Sequence, residues 1–127
     1  MVLVDTSVWV DFLRVGDQRL AGLLLQNRVA VHEMVLGEIA CGNLRQRTDR
    51  LAMLGHLPRV DPATHEEVMQ FLERNRLFGL GVGYVDIHLL AATQLHPGTS
   101  LWTFDKRLDG VAKRLGLGQE FPTRVPD

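Results

Sequence analysis

The chain has 127 residues, a length that fits one domain spanning residues 1–127 with a core of its own. Its 14 basic and 15 acidic residues leave a formal net charge of -1, so any nucleic-acid contact must be a local patch rather than a global basic footprint. The one cysteine, Cys41, excludes an intrachain disulfide and a cysteine-based zinc site, and it fits a reducing cytoplasm.

In chain order, strands and helices are predicted to alternate. Met1 to Val4 is a short apolar strand, too short and too lacking in basic residues for a signal peptide or a membrane span. Thr6 or Ser7 can cap a helix to about Leu13. Gly16 and Asp17 restart the chain, and Leu20, Leu23 and Leu24 form a helical stripe. Residues 28–32 read as a second strand. The next helix carries Val35, Glu38, Ile39 and Gly42 on one face, and another begins near Thr48 and Asp49. Leu57 to Val60 reads as a short strand, and Asp61-Pro62 as a helix start, with Val68, Phe71 and Leu72 on one face. Glycines between 79 and 83 break the chain before a helix from Tyr84 to about Leu95. Ser100 to Phe104 is a strand, and Asp105 to Leu115 a helix stopped by Gly116. Such alternation predicts an α/β fold with a central parallel sheet of four or five strands and helices on both faces.

Four lone acids stand in apolar runs on this scaffold. Asp5 closes the first strand, and Glu38 lies among Val35, Leu36, Ile39 and Ala40. Asp86 lies between Val85 and Ile87, and Asp105 follows Trp102, Thr103 and Phe104. Their neighbours predict burial, and an unpaired buried carboxylate costs several kcal/mol or changes protonation. A shared divalent metal is the expected countercharge. Asp5 and Asp105 fall just past the carboxyl ends of strands, where open α/β sheets bind ligands. Glu38 and Asp86 fall on the early turns of two helices. Magnesium and manganese prefer such hard oxygen ligands.

The string at residues 2–14, VLVDTSVWVDFLR, resembles the opening of a PIN-domain ribonuclease, most of all a VapC-type toxin of a toxin-antitoxin pair. The resemblance continues in order through EMVLGEIACG at 33–42, GVGYVDIHLLAA at 81–92 and LWTFDKRLDGVAKRLGL at 101–117. It implies a PIN-like fold and metal-dependent endonucleolytic cleavage of RNA, with Mg2+ or Mn2+ held by Asp5, Glu38, Asp86 and Asp105. It also implies a site role for Thr103, a homodimer, and a VapB-like antitoxin. The apolar face around Val35, Ile39, Leu51 and Leu54 is the expected antitoxin surface.

Other residues have plainer explanations. Asp5 and Asp86 also suit helix N-termini, Asp105 suits an N-cap, and Glu38 suits a pair with Arg45 or Arg47. Thr6 and Ser7 suit capping as well as they suit the acid cluster. Asp11 and Asp109 are expected to be peripheral. His32-Glu33 lacks the second histidine of a metalloprotease helix, since Leu36 fills that position. The five histidines are expected outside the site, and Trp9 and Trp102 in the core or an interface. Arg14, Arg45, Arg47, Arg50, Lys106 and Arg107 are candidate phosphate contacts. Aspartyl phosphotransfer needs a second aspartate two residues on, where Ser7 stands. A catalytically silent RNA-binding module would gain nothing from clustered negative charge.

Overall fold

The computed structural model describes residues 1–122. Its sheet has three parallel strands in the order β2-β1-β3, with β1 at Val2–Val4, β2 at Val29–Ala30 and β3 at Ser100–Trp102. Leu3 is opposite Ala30 on one side and Leu101 on the other. Val2, Leu3 and Val4 are all fully buried. Alternate strand residues face opposite sides, so both faces of the sheet are covered.

The described residues contain three regular strands rather than four or five. Two more segments pair by single parallel bridges, Val31 with Arg59 and Leu101 with Gly118. Pro58 contributes only a carbonyl, which accepts from Val31 N–H at 2.8 Å. Residues 57–60 therefore touch the edge without forming the expected strand.

Seven helices flank the sheet: α1 Thr6–Val15, α2 Gln18–Leu25, α3 Glu33–Ala40, α4 Arg47–Gly55, α5 His65–Arg74, α6 Tyr84–Leu95 and α7 Lys106–Arg114. Asp17 caps α2 by accepting from Arg19 and Leu20 N–H. The Arg19 guanidinium then lies against Trp102, Phe104 and Phe121. It thereby ties α2 to the β3 edge. α5 starts later than Asp61-Pro62 predicts. Thr64 and Glu67 form a reciprocal capping box, which fixes the start better than proline at the first turn does. In α6, every residue from Ile87 to Thr93 is buried, as in a helix packed all round.

Val35, Leu54 and Ile39 lie in the core. With Val35 and Leu54 fully buried, they cannot form the expected antitoxin surface. Trp9 and Trp102 are buried as expected.

His32 and His88 are buried with their rings 6.1 Å apart. His32 Nδ1 accepts from Met34 N–H at 3.0 Å and so caps α3. Its Nε2 and both nitrogens of His88 are buried without a protein partner. Burial, then the neighbouring histidine, holds His32 below its ordinary value of 6.5, against an opposing pull from Glu33. Burial likewise lowers His88. A lowered base gives stability that is complete above the ordinary value and lost as pH falls through the folded value. Urea unfolding is therefore expected to show lower stability at about pH 5.5 than at about pH 7.5, and His32→Gln to narrow the gap. An identical pH dependence in His32→Gln would reject this role.

Candidate active site

The first strand ends at Val4, but its pairing runs one residue further, with Asp5 N–H donating to Trp102 C=O at 2.9 Å. This sets Asp5 beside Thr103 at the carboxyl edge. In the order β2-β1-β3 the connections leave β1 first to one side and then to the other, and such a switch point opens a crevice.

Two hydroxyls organise this crevice. Thr103 Oγ1 donates to Asp5 Oδ2 at 2.7 Å and accepts from Asp105 N–H at 3.0 Å. Ser7 Oγ donates to the same Asp5 oxygen at 3.0 Å and accepts from Phe104 N–H at 3.0 Å. Each hydroxyl thus spends its proton on the Asp5 carboxylate and fixes the loop that carries Asp105. Thr6 Oγ1 donates to Glu38 Oε1 at 2.7 Å. The start of α1 has no side-chain cap, so Thr6 and Ser7 serve the acids instead. Sequence alone left these two uses open, because a Ser or Thr pair at a strand-to-helix turn serves both.

The other acids are placed by helices. Asp105 Oδ1 accepts from Arg107 N–H at 2.9 Å and from Leu108 N–H at 3.0 Å, so it does cap α7. Its second oxygen forms no hydrogen bond among the described residues. Asp86 is the third residue of α6 and accepts from Gly83 N–H at 3.0 Å. Glu38 is the sixth residue of α3, past the early turn expected for it.

Asp5 is buried and Asp86 half-buried, whereas Glu38 and Asp105 are exposed. Burial predicted from adjacent apolar residues fails at these two. On a helix the next residue is turned about 100° away, so Ile39 enters the core while Glu38 does not.

Half-burial, first of all, pushes the Asp86 carboxyl above its ordinary range. The Gly83 N–H opposes this shift, and the charges of Asp5, Asp105 and Glu38 reinforce it. The four acids therefore share one electrostatic field. Among the described residues none of them forms an ion pair. Arg47 donates instead to the carbonyls of Ala40 and Gly42 at the end of α3, which rules out its pairing with Glu38. Asp11 pairs with Arg14 and Asp109 with Lys113, as peripheral acids would.

No three acidic, histidine or cysteine side chains among the described residues form a ready-made metal cage. The donors are nonetheless hard oxygens with unbalanced charge. They fit a small divalent cation that keeps several waters and needs only one or two direct carboxylates.

The family model described as PIN domain matches residues 2–114. The chain is 42% identical over 117 residues to Ribonuclease VapC32 of Mycobacterium tuberculosis, strain CDC 1551 / Oshkosh. The match covers 92% of this chain and 94% of that protein. The same figures hold for Ribonuclease VapC32 of strain H37Rv.

An acid whose folded pKa is raised stabilises the fold only at low pH, and that contribution is lost as pH rises through the folded value. Ionised Asp86 is thus a source of strain near neutrality. Asp86→Asn is expected to keep or raise the melting temperature in chelator, and to gain less than the parent from magnesium. For the parent, the gain reaches about 2.7 kcal/mol at a hundredfold excess over the dissociation constant. A structural ion pair would instead lose roughly 3–5 kcal/mol on mutation, with or without the ion. Thermal melts across a magnesium titration separate the two cases.

Proposed function

The chain belongs to the PIN-domain family, in its VapC-type branch, and from that premise we propose that it is an endoribonuclease toxin acting with Mg2+ or Mn2+. The observation that carries this reading is a single one. The charges of Asp5, Glu38 and Asp105, from three separate elements, all bear on Asp86, and among the described residues no lysine or arginine pairs with any of the four. A fold pays such repulsion only where a cation or a reaction uses it.

Asp5, Glu38, Asp86 and Asp105 are the proposed metal-holding residues. A bound divalent ion supplies an activated water and offsets charge developing on the phosphodiester. The chain's own side chains prepare for that. Thr103 and Ser7 fix one oxygen of Asp5, which leaves the other to face a ligand. Asp105 gives one oxygen to the start of α7 and leaves the other without a hydrogen bond among the described residues. Thr6 orients Glu38. Thr103 is thus a positioning residue that steers two acids through one hydroxyl.

A toxin of this branch works under a VapB-like antitoxin and as a homodimer, in the cytoplasm where its RNA substrate lies. No helix among the described residues is long and apolar enough to cross a membrane. The antitoxin surface moves from the buried Val35 and Leu54 to a groove of about 510 Å³ between α1 and the α3–α4 turn. Val10, Leu13, Ile39 and Leu44 give it an apolar floor, and Arg14 and Arg45 a basic rim. An amphipathic segment with apolar anchors and flanking carboxylates suits that lining.

The test is incubation of purified, antitoxin-free protein with total RNA, in magnesium or in chelator, with the cut ends mapped. Cleavage in magnesium alone supports the reading, and no cleavage in either condition refutes it. Asp5→Asn and Asp105→Asn are each expected to lower the rate by about a hundredfold or more, a loss near 2.7 kcal/mol of transition-state stabilisation. Both should keep a cooperative melt. Leu13→Lys is expected to weaken antitoxin binding without changing cleavage, as read by titration calorimetry.

A further inference from the structure

Several of the lysines and arginines among the described residues are engaged within the fold. Arg14, Arg19 and Lys113 pair with aspartates. Arg47 and Arg50 donate to backbone carbonyls. Arg107 differs from all of these. It is exposed, its guanidinium has no hydrogen bond or carboxylate partner among the described residues, and its backbone N–H donates to Asp105.

Its side chain lies against Gly81. A Cβ built on Gly81 would meet Arg107 Nη1 at 2.6 Å and Cδ at 2.8 Å. The arginine therefore lies across the Gly81 backbone, in space that any other residue would fill. Gly81 also has φ +78°, a conformation that favours glycine on its own account. Two residues further on, Gly83 N–H holds Asp86. Arg107 thus spans from the first turn of α7, beside Asp105, to the loop that presents Asp86. It pairs with neither acid among the described residues.

A cation in that position answers a difficulty of the acidic crevice, which repels the anionic backbone it is meant to cut. A planar guanidinium with free donors matches a phosphate and gives position without base selectivity. Resting on the ribonuclease reading above, we propose that Arg107, seated on Gly81, grips a backbone phosphate of single-stranded RNA adjacent to the scissile one. It is a substrate-positioning residue, separate from the four acids.

The experiment measures binding of fluorescein-labelled single-stranded RNA oligonucleotides of two unrelated sequences. Fluorescence anisotropy is followed across a potassium chloride series with magnesium present, in an Asp5→Asn background that prevents cleavage. Arg107→Gln is expected to weaken binding of both sequences by about tenfold and to reduce the salt slope by about 0.7, the value for one lost phosphate contact on a single strand. Arg107→Lys should keep the slope while losing part of the affinity. Arg74→Gln, on the exposed end of α5, is the control for net charge. In the cleaving protein Arg107→Gln should raise KM with kcat held. An unchanged slope and affinity, or an equal loss in Arg74→Gln, overturns the proposal. A loss confined to one sequence overturns it as well.

Gly81→Ala tests the seat. Alone it should reproduce the weakening, and combined with Arg107→Gln it should add nothing, because the same contact is already gone. Additive losses overturn the docking on Gly81. If the parent cuts RNA and Arg107→Gln behaves like it, only this inference fails. If the parent neither binds nor cuts RNA, the ribonuclease reading falls and this inference with it.

Discussion

Thr103 donates to Asp5 across 98 positions of sequence, and the rest of the site is arranged around that bond. It joins the end of the first strand to the end of the last. The parallel register of Val4 with Trp102 brings the two residues to the same height, and the backbone bond from Asp5 to Trp102 holds them there. A sheet this small has little redundancy. β1 is its centre, paired on both sides, and every residue in it is fully buried. Moving β1 by one residue would turn Asp5 away from the crevice and exchange the side chains packed on the two covered faces. Core packing and site geometry are thus set by one register.

The hydroxyls around Asp5 show how such a site is kept rigid before any ligand arrives. Thr103 and Ser7 each give a proton to the carboxylate and take one from the backbone that follows β3. Four bonds then close on two side chains, with no charge spent. A lysine or arginine would have held Asp5 as firmly, but it would have cancelled the charge that attracts a cation. Neutral donors fix the carboxylate and leave its negative charge uncancelled. The opposing cost falls on Asp86, which burial and its three like-charged neighbours together push toward protonation. Stability is conceded at one helix terminus and supplied by the apolar core beneath it, including the fully packed stretch of α6 that follows.

Much of this was legible in the sequence, and the failures share a cause. Strand-to-helix alternation located β1, β2, β3 and all seven helices, and the bounds of α6 were read directly from Tyr84 and Leu95. The expected number of strands was too high. The expected strand at residues 57–60 forms only a single bridge. Pairing at an edge depends on what the loops before and after allow, which local composition does not encode. The acids were found because each interrupts an apolar run. Asp5 is buried as expected, but the burial of Glu38 and Asp105 was misjudged, since adjacency in sequence is not adjacency in the fold. Glu38 and Asp105 are exposed although their neighbours are apolar, and Val35 and Leu54 are inaccessible although they looked like a docking stripe. The roles of Thr6 and Ser7 depend on contacts with Glu38 and Asp5 that only the folded chain creates.

An acidic crevice that acts on a polyanion has to reconcile two opposite demands on charge. Cation binding calls for uncompensated carboxylates, while RNA binding calls for positive potential within a Debye length, about 8 Å at physiological salt. The fold keeps the two apart by placement. The carboxylates come from the ends of β1 and β3 and from α3 and α6, with hydroxyls and backbone N–H groups as their protein partners. Arg47 is occupied at the end of α3, and Arg107 lies against Gly81. A net charge of -1 gives the whole molecule no attraction for RNA at a distance, so binding has to come from local contacts made after encounter. On the proposed reading, a glycine that accommodates one arginine belongs to the design of the acidic site. It lets a cation stand beside the carboxylates without collapsing onto them.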